Sequence, residues 1–322
     1  MIKTSIDLYI VNSTFPLILS IENIYRKKNK NYKILFLKNN THQSLENYIK
    51  KKFNKEEITF FSNSYLGQIH LIIISFWYNI FFNIQNLYAG TISQKSLKLI
   101  FNYFFTKSKI ILSDGTDSIS FYWSGKRFEE LHNKPVKKLD LISIFNLNGN
   151  LCNNQKINLN YYSSKKKLIA DSLLILGGRY LVYRDKNEIF SILEQIINHH
   201  KKNYGIKNFY YKPHPYEYNS TILKKIFAKF NFLNFYGENN GLPIELDYKN
   251  ALDFPMYITS DNLMPTTSFF TLTDINSLII SNIIEVKDEK FINNIYLEEY
   301  NDIMNYIYSA KNKNFKFIKI LQ

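Results

Sequence analysis

Short apolar runs separated by helix-length segments recur along this chain, and that alternation leaves few architectures open. The run IDLYIV (residues 6–11) ends in the polar turn Asn12-Ser13-Thr14, and Pro16 stands just inside the apolar-periodic segment that follows. That pattern predicts a strand, a turn and a capped helix. YKILFL (residues 32–37) predicts a second buried strand, and a β-α-β opening implies a parallel sheet. EITFF (57–61) predicts a third strand followed by two helical stretches up to about Phe105. KIILSDG (109–115) predicts a strand that ends in an acidic, glycine-containing turn.

Between residues 146 and 167 the sequence NLNGNLCNNQKINLNYYSSKKK is polar, asparagine-rich and without helical or strand period, which marks a domain boundary. The alternation then restarts. SLLILGG reads as strand and glycine turn, and a helix is expected from about Asn187 to Tyr204. KNFYYKPHP reads as strand and turn, with a helix from about Glu217 to Phe230; strands follow in FPMYIT and near SLIIS, then a terminal helix from about Leu297. The expected fold class is α/β, with two Rossmann-like domains, 1–155 and 165–322, facing a cleft. A chain of 322 residues accommodates two domains of roughly 150 residues each.

The formal net charge is +14, from 41 Lys and Arg against 27 Asp and Glu, so an anionic partner is expected: a phosphorylated substrate or an anionic membrane face. Nucleic acid is disfavoured, because no zinc spacing, helix-turn-helix or aromatic RNA-binding signature accompanies the charge. The single cysteine, Cys152, excludes an intramolecular disulfide and a multi-cysteine metal site, and fits a reducing compartment. The start lacks the pattern of a signal peptide. The most apolar window, LIIISFWYNIFFNIQNLY (71–88), is interrupted by Asn79, Asn83, Gln85 and Asn86, so a buried or membrane-facing helix is expected rather than a spanning one.

Ligands of open parallel sheets bind beyond the carboxyl ends of strands, where helix N-termini present N–H groups to anions. Several polar elements fall at such ends. In SDGTDS (113–118) Gly115 permits an unusual backbone angle, and Asp114 at the strand tip can accept a proton from a hydroxyl nucleophile. Asp117 is a second carboxylate there, and an ordinary Asp-Gly turn would read the same way. In LGGRY, Gly177 and Gly178 allow close backbone approach to a phosphate and Arg179 adds charge; a simple loop is the alternative.

Two of the chain's seven prolines, Pro213 and Pro215, flank His214, and each pushes the preceding residue out of the helical region. Lys212 and His214 are therefore expected to be extended. Placed before a helix, His214 can donate a proton or a hydrogen bond to a leaving phosphate; a rigid turn with a solvated histidine is the alternative. Pro243 sets Glu245 in a first helical turn, suited to two ribose hydroxyls or to capping. Thr266, Thr267 and Ser268 offer hydroxyls and N–H groups to a phosphate, or a cap. His199 and His200, late in a helix, read as surface residues favoured by its dipole, and His42, His70 and His132 show no ligand spacing. No G-x-G-x-x-G, Walker or Asp-x-Asp pattern occurs, so neither a dinucleotide cofactor nor a metal is expected.

The order of Ser113-Asp114-Gly115, His214-Pro215, a Pro-x-Glu and Thr267-Ser268 resembles that of the bacterial lipooligosaccharide sialyltransferases (glycosyltransferase family 52) and the related polysialyltransferases. Two positions depart from the pattern: Ser113 stands where the family has a first acidic residue, and Thr267 begins the serine pair. The resemblance implies a GT-B-type fold and inverting, metal-independent transfer from CMP-sialic acid to a hydroxyl of a surface glycan. By that analogy Asp114 is the base, with Asp185 in reserve, and His214 acts on the departing CMP phosphate. Thr267 and Ser268 bind that phosphate, and Glu245 binds the ribose. The partners implied are a nucleotide-sugar donor, a glycan or glycolipid acceptor and the inner face of an anionic cell membrane, with a homodimer compatible. Sialyl transfer needs one base for the acceptor and hydrogen-bonding groups for the leaving phosphate, which such a set supplies. A transferase using another nucleotide sugar, or a basic glycan-binding protein without turnover, remains the alternative reading.

Overall fold

The computed structural model describes residues 3–38, 43–53, 57–90, 94–115, 118–124, 139–147, 151–159, 169–177, 186–214, 221–230, 233–236, 242, 244–247, 254, 256–259, 278–283, 294–309 and 315–319. The chain divides into two compact units, Met1–Tyr161 and Tyr162–Gln322.

The first unit holds strands β1 (Ser5–Val11), β2 (Tyr32–Lys38), β3 (Ile58–Ser62), β4 (Asn83–Ala89), β5 (Ser108–Leu112), β6 (Leu139–Ser143) and β7 (Cys152–Lys156). They form one parallel sheet in the order β3-β2-β1-β4-β5-β6-β7. Helices α1 (Thr14–Lys27), α2 (Gln43–Lys52), α3 (Tyr65–Phe81) and α4 (Lys95–Tyr103) connect its early strands. The second unit repeats the plan with β8 (Ser172–Leu176), β9 (Asn208–Lys212), β10 (Leu233–Phe235), β11 (Met256–Thr259), β12 (Leu278–Ile283) and β13 (Phe315–Lys319). Its parallel order is β10-β9-β8-β11-β12-β13, with helices α5 (Lys186–Tyr204), α6 (Thr221–Lys229), α7 (Ile244–Asp247) and α8 (Asn294–Ser309). Two Rossmann-like α/β units in succession result.

The apolar runs become central strands because both faces of a parallel sheet are covered. All but the first residue of β1 is buried, and β8 is buried throughout. Between β1 and β4 the register partners Tyr9 and Tyr88 stack with ring centroids 4.3 Å apart. From α1, Asn23 donates to the Tyr9 hydroxyl and Lys27 reaches that of Tyr88, which pins the helix over the middle of the sheet. In the second unit Ile189, Leu193, Ile196 and Ile197 of α5 join Leu173, Ile175 and Phe209 in one core.

Four expectations need correction. The window 71–88 is not one helix, because α3 stops at Phe81 and residues 83–89 form β4. Asn79 lies within α3, and the other three residues that read as helix interruptions are sheet contacts of β4: Asn83 and Gln85 donate to Ser5, and Asn86 donates to the buried Asp7. The Asn-rich stretch after residue 146 contains β7, which among the described residues pairs with β6 at the sheet edge and needs no apolar pattern. The terminal helix is followed by a further edge strand, β13.

His200 is not a surface residue. It is fully buried, its Nδ1 lies 2.7 Å from the Ile196 carbonyl oxygen, and its Nε2 has no partner. Tyr204 stacks on it one turn later, 5.5 Å between centroids. Burial lowers its pKa from 6.5 to about 4, so the ring is neutral near pH 7. The unfolded chain therefore takes up this proton first. Stability should fall as pH drops below 6.5 and level off near 4, by about 3 kcal/mol in all. Thermal melts across that range are expected to show a smaller acid loss in His200→Leu than in the natural protein; equal losses would contradict the assignment.

Candidate active site

In each sheet the strand order reverses beside the first strand, between β1 and β4 and between β8 and β11. Turns leaving the carboxyl ends there splay apart and make room for a ligand.

In the first unit four such turns form a polar row. Asn63, just after β3, accepts from Gln94 Nε2 at 2.7 Å, and Gln94 Oε1 accepts from Asn12 Nδ2 at 2.9 Å. Next to Asn12, Ser13 Oγ donates to Asp114 Oδ1 at 2.5 Å. Ser13 is the N-cap of α1, with φ −141° and ψ 169°, yet its side chain makes no capping bond. Its hydroxyl holds Asp114, leaving α1's first N–H groups without a side-chain cap. Asn12 Oδ1 is buried with no partner. Gly90 follows β4 and closes against this turn: a Cβ there would lie 3.1 Å from Asn12 Oδ1 and 3.2 Å from Pro16 Cβ.

The turn carrying Asp114 is knitted by its neighbours. Ser113 is fully buried, and its Oγ lies 2.8 Å from Ser118 Oγ and receives the Gly115 N–H at 3.3 Å. Its N–H bonds to the Ile142 carbonyl of β6, so the turn grows directly out of the sheet. Gly115 adopts φ +89°, a conformation that a side chain disfavours. Serine at 113 thus fills a buried, turn-closing position, where a carboxylate would be costly. Asp114 itself is partly exposed.

In the second unit Gly177 N donates to the Lys212 carbonyl at 2.8 Å, extending the pairing of β8 and β9 past their ends. Tyr236 N donates to Tyr211 from the other side. Lys212, the last residue of β9, and Pro213 are buried, while His214 is partly exposed. The structure therefore brings Gly177, Lys212, Pro213 and His214 to one edge of this sheet. Glu245 lies in α7, whose backbone alone is described at that position. Gly178, Arg179, Asp185, Pro215, Thr267 and Ser268 lie outside the described residues, as do Asp117, His42 and His132. Among the described residues no group of three or more His, Cys, Asp or Glu is placed to hold a metal ion.

Sequence reading missed Ser13, Asn12, Gln94 and Asn63. The first two were legible as a polar turn but were assigned to capping. The signal that separates the two roles is position: a hydroxyl beyond the first strand of a parallel sheet sits at the switch point, beside the tip of β5.

No family model and no curated protein matches the chain. Solved structures do. UDP-GlcNAc 2-epimerase from Methanocaldococcus jannaschii is 11% identical, over 98% of this chain and 89% of that one, with a TM-score of 0.54. A putative UDP-N-acetylglucosamine 2-epimerase from Listeria monocytogenes is 10% identical, over 87% and 79%, with a TM-score of 0.53. MurG of Acinetobacter baumannii is 10% identical, over 98% and 86%, with a TM-score of 0.47. The two epimerases, both above a TM-score of 0.5, show the fold: α/β, with two Rossmann-like units of GT-B type.

Proposed function

We propose that the protein is an inverting glycosyltransferase that moves sialic acid from CMP-sialic acid to a hydroxyl of a surface glycan or lipooligosaccharide without a metal. The observation that carries this is the carboxylate of Asp114, oriented by Ser13 at the switch-point edge of the first sheet. His214, just past the end of β9 at the corresponding edge of the second sheet, supports it, as does the order of the motifs in the sequence. The epimerases of the same fold are named for UDP-GlcNAc, which favours a nucleotide-sugar donor as a class.

The first unit would hold the acceptor and the base, and the second the donor. As the bond from the sialyl anomeric carbon to the phosphate oxygen breaks, the acceptor oxygen forms its new bond and passes its proton to Asp114. His214 gives a hydrogen bond or a proton to the leaving CMP phosphate. Lys212, Gly177, Gly178, Arg179, Thr267 and Ser268 bind around that phosphate, with Pro213 holding the turn and Glu245 on the ribose. These hydrogen bonds must strengthen as charge builds on the leaving group. The protein would work at the cytoplasmic face of the inner membrane.

Incubation with CMP-sialic acid and an acceptor glycan should release CMP at the same rate with and without EDTA. Release of UMP or UDP from UDP-sugars, with none of CMP from CMP-sialic acid, would replace the donor. Asp114→Asn should lose activity by about 10² to 10⁴ while still binding CMP. Ser13→Ala removes one orienting bond and should lower kcat by about tenfold with KM little changed; a changed KM with normal kcat would make Ser13 a binding residue instead. His214→Ala should retain CMP binding and lose release.

A further inference from the structure

Helix α3 has no Asp, Glu, Lys or Arg in its 17 residues, and only Leu71 and Ser75 are buried. A helix at a water-facing surface ordinarily carries charge on its outer side. Here Leu66, Ile73, Trp77, Ile80 and Phe81 are all exposed, Leu66 at 76% and Ile80 at 61%. Their spacing of three to four residues makes one stripe along the helix, interrupted by His70. Neighbouring α4 extends it through Leu99 and Tyr103, and Phe105 beyond α4 is 85% exposed. Phe76 of α3 packs on the buried Phe104 at the end of α4, 6.0 Å between ring centroids, so the two helices lie side by side. Isolated exposed hydrophobics are ordinary, but a continuous surface of this kind marks a docking face.

We infer that this α3–α4 face docks on an anionic lipid bilayer. Charge selects that occupant. No acidic residue occurs between Glu57 and Asp114, whereas Lys95, Lys98, Lys107 and Lys109 all lie on or beside α4. A second copy packed about a two-fold axis would set these lysines against themselves. An anionic bilayer complements them, and it accepts Trp and Tyr side chains at its interface. Among the described residues no helix is long and apolar enough to cross a membrane, so the face would lie on the surface.

The face also ends at the candidate site. Gly67, in the first turn of α3, packs so closely on the end of β3 that a Cβ would stand 2.0 Å from the Ser62 carbonyl oxygen. Asn63, between β3 and the N-cap Ser64, belongs to the polar row that continues through Gln94 and Asn12. Docking would therefore bring the Asp114 edge to the bilayer surface, which fits a lipid-linked acceptor. That last step rests on the proposed transferase function; the docking itself does not.

Sedimentation of the full chain with vesicles tests it, using phosphatidylcholine alone and phosphatidylcholine mixed with phosphatidylglycerol, with no donor sugar present. Binding is expected to the mixed vesicles and at least about tenfold weaker to phosphatidylcholine alone. The double variant Ile73→Glu/Trp77→Glu, at exposed positions, should lose at least about tenfold in binding with an unchanged circular dichroism spectrum. Lys95→Glu/Lys107→Glu should lose at least about tenfold at low salt, with the deficit against the natural protein narrowing at high salt. No sedimentation with mixed vesicles, undiminished binding by the Ile73/Trp77 variant, or a solution dimer that this variant converts to monomer would each overturn the inference. Vesicle binding without CMP release would leave the docking standing and remove the donor assignment.

Discussion

Parallel pairing is the constraint from which the rest follows. When every strand of a sheet runs the same way, all carboxyl ends share one edge, and each connection must return through a helix on a face. The polar turns are thereby gathered on one side, however far apart they lie in sequence. Asn12, Asn63, Gln94 and Asp114 come from four different crossovers and meet in one row. The same logic brings Gly177 to Lys212 in the second unit, 35 residues along the chain, through a bond that simply continues the β8–β9 pairing.

Stacking of Tyr9 on Tyr88 has a further consequence for that row. It fixes the lateral register of β1 against β4, and Asn12 and Gly90 leave the sheet from those two strands. The short contact distances at Gly90 show how little slack the turn has. Ser13 then trades helix capping for a grip on Asp114, an exchange that costs the helix on the order of 1 kcal/mol. A local cost of that size, set against an oriented carboxylate, is the pattern expected where an edge serves chemistry rather than stability.

Sequence reading worked where burial was uniform. Strands β1, β2 and β8 are nearly continuous apolar runs because helices cover both faces, and such runs are hard to mistake when turn residues bound them. It failed where pairing, not burial, specified the strand. In β4 only Ile84 and the last three residues are buried, and its polar half is satisfied by Ser5 and Asp7, partners some 80 positions away that no local pattern reveals. Strand β7 is almost wholly polar because it lies at an edge. His200 looked solvated because nothing in its helix records that the chain folds back over the last turn, where Ile206 N returns to its carbonyl. Of the candidate site, Asp114, Gly115, Lys212 and His214 were legible as punctuation after apolar runs. Ser13 was legible only as a cap, since the side chain it grips lies 101 positions further on.

The central claim is that the carboxyl edge of the second sheet receives the donor nucleotide. Imidazole nitrogen resonances of histidine, assigned with His214→Gln and followed as CMP is added, test it most directly. The account predicts that the His214 resonances move in proportion to occupancy while those of buried His200 stay fixed. Saturable CMP binding that leaves His214 unmoved would contradict it.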